Sequence, residues 1–272
     1  MTDTRSPASR TGSIVVTGAA KRIGRAIALD LVANGWPVVV HCHQSFDAAS
    51  ELVDTIRSDG GRAALVQADL ANEDETARLI ERAAGALGPV VGLINNASVF
   101  EHDTPMTATR ETWDRHMEIN LRAPFILIQA FVRQLPNKTE GNVINIIDQR
   151  VWNPTPEFTS YTLSKAGLWS LTKTLAQGLA PNVRVNAIGP GPTLRNVHQT
   201  ESAFENEWSS VLLGRKVEIG EICDAVRFIL GAHSMTGQML ALDSGQHLRW
   251  SVMTPDPGTP PEDSTSGSGS SL

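Results

Sequence analysis

Short apolar runs alternate with amphipathic stretches along almost the whole chain, and this alternation limits the fold more than any other feature. The runs are 13–17, 37–41, 63–68, 90–95, 142–147, 183–188 and 238–242. They are rich in Val, Ile and Ala and show little apolar–polar alternation, as expected of parallel strands buried on both faces. Helical patterns fall between them at 23–34, 46–58, 73–87, 111–134, 158–180 and 221–230. Gly35 and Gly60-Gly61 close the first two helices, and Pro124 is expected to kink or break the fourth. The pattern predicts the α/β class: a single-domain Rossmann-type, doubly wound parallel sheet of about seven strands, with helices on both faces. The domain should span 12–250. Residues 194–217 lack a clear period and are expected to form a mobile substrate lid. Residues 1–11, and 251–272 with their Pro, Gly, Ser and Thr, are expected to be disordered.

The net charge of −6 over 272 residues is unlike a nucleic-acid footprint. No apolar run approaches the length of a membrane span, and the polar start lacks an export signal. Cys42 and Cys223 are too few for a disulfide framework, which fits a reducing cytoplasm. A small-molecule partner is therefore expected, with no nucleic acid, membrane or metal.

The chemistry-bearing residues lie at strand ends. Gly18-Ala-Ala-Lys-Arg22-Ile23-Gly24 joins the first strand to the first helix, where glycines let the backbone approach a pyrophosphate; a tight βα turn has the same composition. Arg22 stands where a second glycine is usual, and its forked donor suits phosphate or an anionic substrate edge. The second strand ends His41-Cys42-His43-Gln44-Ser45, with no acid until Asp47. An acid there would hold the ribose diol of NAD, so its absence favours NADP(H). Asp69-Leu70 follows the third strand and suits the adenine. Asn95-Asn96-Ala97-Ser98 follows the fourth and leaves room for ribose. Asn120 lies within the long helix. Tyr161 and Lys165, four apart, share a helix face, where the ammonium is expected to lower the phenol pKa.

This combination, with Pro190-Gly191 after the sixth strand, resembles a short-chain dehydrogenase/reductase over roughly residues 12–250. The resemblance implies that Tyr161 exchanges a proton with substrate, Lys165 holds the nicotinamide ribose, and Asn120 anchors a water relay. It also implies a homotetramer built through the helices at 111–134 and 158–180. The implied cofactor set is Gly18, Arg22, Ile23, Gly24, His43, Ser45, Asp69, Leu70, Asn96, Ala97, Ser98, Tyr161, Lys165, Pro190, Gly191 and Thr193. Two departures, Arg22 for Gly and Asp148 for the usual Ser, are shared with the pteridine reductase and dihydromonapterin reductase branch. In that branch the equivalents of Phe100, Arg22 and Asp148 meet a pterin. Phe100 as a core residue and Asp148 as a strand-end cap are the competing roles. An ionised carboxylate only accepts hydrogen bonds, so Asp148 suits a substrate with ring N–H groups better than a ketone. The expected function is NADPH-dependent reduction of a dihydropterin. A general carbonyl or 3-oxoacyl reductase is the alternative, and an NADP-binding sensor or scaffold is the non-enzymatic one.

Overall fold

The computed structural model describes residues 11–196 and 199–249. Nearly all of the disorder expected at the chain ends falls outside these residues. Seven parallel strands form one sheet: β1 (Ser13–Val16), β2 (Val38–Cys42), β3 (Ala63–Gln67), β4 (Val90–Asn95), β5 (Gly141–Ile146), β6 (Val183–Pro190) and β7 (Met239–Leu242). Their order is β3-β2-β1-β4-β5-β6-β7. Successive side chains of a strand face opposite sides, which divides each run between two cores. Ile14, Val16, Val38, Val40 and Ile144 pack under α1 (Arg22–Ala33), α2 (Phe46–Ser58) and α8 (Ile219–Gly231). Val15, Val39, Leu93 and Val143 pack on the other side under α3 (Glu73–Leu87), α5 (Ala123–Gln134) and the end of α6 (Thr159–Gly178). Each fully buried Val, Leu or Ile contributes about 1.5–3 kcal/mol of transfer free energy. Continuous apolar runs are therefore needed wherever both faces are covered.

The structure corrects two sequence expectations. Residues 110–134 form α4 (Arg110–Met117), a π-helical turn (Glu118–Arg122) and then α5, so the irregularity precedes Pro124. Pro124 has no N–H for the Asn120 carbonyl, and the preceding turn widens until Ala123 N–H reaches the Glu118 carbonyl. The supposedly aperiodic 194–217 contains α7 (Glu201–Ser209), capped by the Thr200 hydroxyl on Ala203 N–H at 3.2 Å. That helix buries only Phe204, so it leaves no apolar period to read. Among the described residues no helix is long and apolar enough to cross a membrane.

Candidate active site

The chain connection reverses direction between β1 and β4, the switch point at which open α/β sheets bind ligands beyond their strand ends. The loops leaving these two strands are stitched together. Thr17 Oγ1 accepts both Asn96 N–H and Ala97 N–H at 3.0 Å, and Asn96 Nδ2 donates to the Thr17 carbonyl at 2.8 Å. Glycine is required here by proximity: a Cβ on Gly24 would lie 2.4 Å from the Gly18 carbonyl oxygen and 2.5 Å from Asn96 Nδ2. Gly18 itself has φ +63°. A cavity of about 400 Å³ opens beside this loop. It gathers Gly18, His43, Asp69, Leu70, Ala97 and Ser98, all expected in the cofactor set. His43 and Asp69 approach to 3.7 Å there. Ser45 sits at the N-cap of α2 without a capping bond, and Ile23 packs against the core. Across the cleft Pro190 ends β6, and Gly191 N–H donates to the Leu242 carbonyl at 2.9 Å. A Cβ on Gly191 would come within 2.7 Å of the Asp243 Cα, and buried Thr193 donates to the Gly191 carbonyl at 3.0 Å.

His41 braces this loop, a role that sequence reasoning missed. Its Nδ1 accepts Gly18 N–H at 3.1 Å, so Nε2 carries the proton and donates to the Ala68 carbonyl at 3.1 Å. Burial pushes its pKa down from 6.5 to about 4. The folded chain thus resists a proton that the unfolded chain accepts. His41's contribution is complete above pH 6.5 and is lost as pH falls from 6.5 through about 4, a loss of roughly 3 kcal/mol. Urea midpoints measured across this window should fall steeply for wild type and less steeply for His41→Asn. Equal slopes would rule out His41 as the titrating group.

The catalytic candidates converge at the ends of β5 and α6. Tyr161 donates its hydroxyl to Asp148 Oδ2 at 2.9 Å. Asp148 Oδ1 accepts Arg150 N–H at 2.8 Å and caps a short 3₁₀ turn (Gln149–Val151), so the carboxylate has a capping role while its other oxygen meets Tyr161. Lys165 is buried and donates to the Ile146 carbonyl at 2.9 Å. The expected lowering of the Tyr161 pKa is reversed. Burial, and then the Asp148 carboxylate, push it well above the usual phenol value. Burial also draws Lys165 down to about 8. Tyr161 therefore stays protonated at neutral pH. Asn120, in the π turn, is wholly buried: Oδ1 accepts Val99 N–H at 2.8 Å, and Nδ2 donates to the Val99 carbonyl at 2.9 Å and to Ser164 Oγ at 3.1 Å. These side-chain bonds tie the β4 loop to α6.

The loop after β4 supplies an aromatic wall. Phe100 is half-buried rather than part of the core, and lies flat on Phe158 with centroids 4.3 Å apart. Tyr161 stands 4.6 Å from Phe100 at 80°. Arg22 holds the segment after β6 in place, donating to the Leu194 and Arg195 carbonyls at 3.2 and 3.0 Å. It also takes φ +55°, a left-handed conformation that explains why glycine is the usual residue there.

Buried Asp103, Ser160 and His116 form a chain that sequence reasoning did not anticipate. Asp103 Oδ1 accepts Ser160 N–H at 3.2 Å, and the Ser160 hydroxyl donates to Asp103 Oδ2. His116 Nε2 accepts Glu101 N–H at 3.1 Å, so Nδ1 donates to Ser160 Oγ at 2.7 Å. The carboxylate thereby caps the positive end of the α6 macrodipole from another loop.

A glycine loop at the β1/β4 switch point and a buried Asn–Tyr–Lys group define a nucleotide-binding oxidoreductase site. A family model described as short chain dehydrogenase matches residues 13–206. The chain belongs to the short-chain dehydrogenase/reductase family. It is similar to the structure of FolM alternative dihydrofolate reductase 1 from Brucella suis in complex with NADP: 46% identity and TM-score 0.86, covering 90% of this chain and 98% of that one. The Brucella canis protein of the same description, also complexed with NADP, gives 45% and 0.87, covering 93% and 100%. The 3-oxoacyl-[acyl-carrier-protein] reductase of a Synechocystis species is 33% identical over 235 residues, 85% of this chain and 95% of that protein.

Proposed function

We propose that the chain is an NADPH-dependent reductase of a dihydropterin-type ring. The observation that carries this reading is Asp148, a carboxylate 2.9 Å from the Tyr161 hydroxyl, where a ketone reductase needs a hydroxyl donor. Likeness to the two FolM structures supports it. The residues fit the cofactor: the Gly18–Gly24 turn would be filled by any Cβ at Gly24, and His43, Gln44 and Ser45 present no acid to a 2′-phosphate. NADPH supplies the hydride when bound. Gly18, Ile23, Gly24 and Asn96–Ser98 line the phosphate and ribose side, with Asp69 and Leu70 at the adenine. Pro190, Gly191 and Thr193 shape the opposite wall. Lys165 holds the ribose, Tyr161 keeps the proton destined for ring nitrogen, and Asp148 accepts ring N–H groups or relays that proton. Phe100 stacks the ring, Arg22 meets its polar edge or the cofactor phosphate, and the 194–217 segment covers the site. Buried Cys42 and Cys223 suit work in a reducing cytoplasm. Exposed Trp113 on α4 and Leu163 on α6 suit homotetramer contacts along those helices.

A carbonyl or 3-oxoacyl reductase is the second reading, favoured by the Synechocystis relative. Steady-state oxidation of NADPH separates the two. The expected order of kcat/KM is dihydropterin above β-ketoacyl thioester, and NADPH above NADH. The reverse substrate order establishes the carbonyl reading, and tight NADPH binding without turnover on any substrate establishes a sensor.

A further inference from the structure

Phe158 precedes α6 and has φ +58° and ψ +47°. A bulky side chain enters this left-handed region rarely, and such residues cluster at functional sites. The N-cap position would ordinarily favour Ser, Thr, Asp or Asn. Here Asp103 does the capping from outside, through Ser160 N–H, while its own carbonyl accepts Phe158 N–H at 2.7 Å. Position 158 is thus released from capping, and its fixed backbone aims the side chain.

The ring it delivers lies within 9° of parallel to Phe100. The Arg150 guanidinium lies 5.0 Å from the Phe158 centroid and 5.9 Å from that of Phe100. Neither phenylalanine belongs to the buried core, so the stack is not explained by filling the interior. What it does is hold Phe100 in one orientation beside the Tyr161 ring. We infer that Phe158 is a specificity-determining residue that acts through Phe100, fixing that ring so that a planar heteroaromatic substrate stacks on it in preference to a flexible acyl chain. The inference rests on the dihydropterin reading. A ring already held loses no rotamer freedom when a ligand docks, so the ligand keeps more of its stacking energy.

The test titrates a dihydropterin into enzyme loaded with NADP⁺, where no hydride is available and binding is read without turnover. Phe158→Leu keeps an apolar side chain but no flat face, and should weaken binding about three- to tenfold, the value of one aromatic pair. Phe158→Tyr should restore wild-type affinity. In a Phe100→Leu background, Phe158→Leu should add nothing, because its effect passes through Phe100. Phe158→Met is the second non-planar variant if Leu disturbs folding, which thermal unfolding would reveal. Unchanged or tighter binding in the non-planar variants overturns the inference; tighter binding would mean that Phe158 blocks the ligand's place. Fully additive losses with Phe100→Leu overturn it as well. Absence of binding by wild type sinks both this inference and the dihydropterin reading, whereas binding by wild type with an indifferent Phe158→Leu sinks this inference alone.

Discussion

Tyr161→Phe lowers kcat by about 10²–10⁴-fold, the usual worth of a positioned proton donor, and leaves NADPH affinity nearly intact. The substitution removes one oxygen and keeps the ring, so the contact with Phe100 at 4.6 Å survives. Tyr161 is the only tyrosine in the chain, and no neighbouring phenol can replace it. Its raised pKa keeps the phenol protonated at neutral pH, the state that the proposed donation to the reduced substrate requires. Affinity is spared because the Lys165 ammonium remains anchored on the Ile146 carbonyl. Single-turnover rates and NADPH titrations on both proteins check the prediction. Near-normal turnover in the variant would mean that the proton reaches substrate by a path that bypasses Tyr161.

The fold was legible in the sequence because parallel strands covered on both faces must be apolar throughout. Val15 and Val16 point to opposite cores, yet both must be buried. α7 was illegible for the opposite reason, since one buried residue, Phe204, makes no period. The glycine loop, Asp148, Tyr161 and Lys165 were legible because each sits near a strand end or at a fixed helical spacing, whereas the role of Asn120 came only from the family resemblance. The direction of the Tyr161 pKa was not. Helical spacing placed Lys165 beside Tyr161 but gave no measure of burial, nor of the Asp148 carboxylate bonded to the hydroxyl. Asp103, Ser160 and His116 were missed because they lie 57 and 44 residues apart in sequence and meet only when the β4 loop folds over α6. Phe158 was missed because its role depends on a backbone conformation that its residue type disfavours.

Asp148→Ser should lower kcat/KM on a dihydropterin about ten- to a hundredfold, the effect of losing a charged hydrogen-bond partner worth about 1.5–3 kcal/mol. The substitution is informative because the residue does two things. Oδ1 caps the 3₁₀ turn through Arg150 N–H, and serine, a good N-cap, can keep that bond. Oδ2 receives the Tyr161 hydroxyl, and serine removes the charge there. The local turn should therefore persist while the electrostatics of proton transfer change. Without the carboxylate, one of the two influences that hold the Tyr161 pKa high disappears, and the phenol becomes a stronger acid. A new hydroxyl also offers a donor to a carbonyl oxygen, where a carboxylate would repel the developing oxyanion. Activity on an activated ketone should accordingly be preserved or rise. Catalytic efficiency of wild type and variant on one dihydropterin and one ketone decides the matter. If both activities fall together, Asp148 serves the turn rather than the substrate. If the two diverge, the carboxylate is what directs this site toward a nitrogen heterocycle and away from ketones.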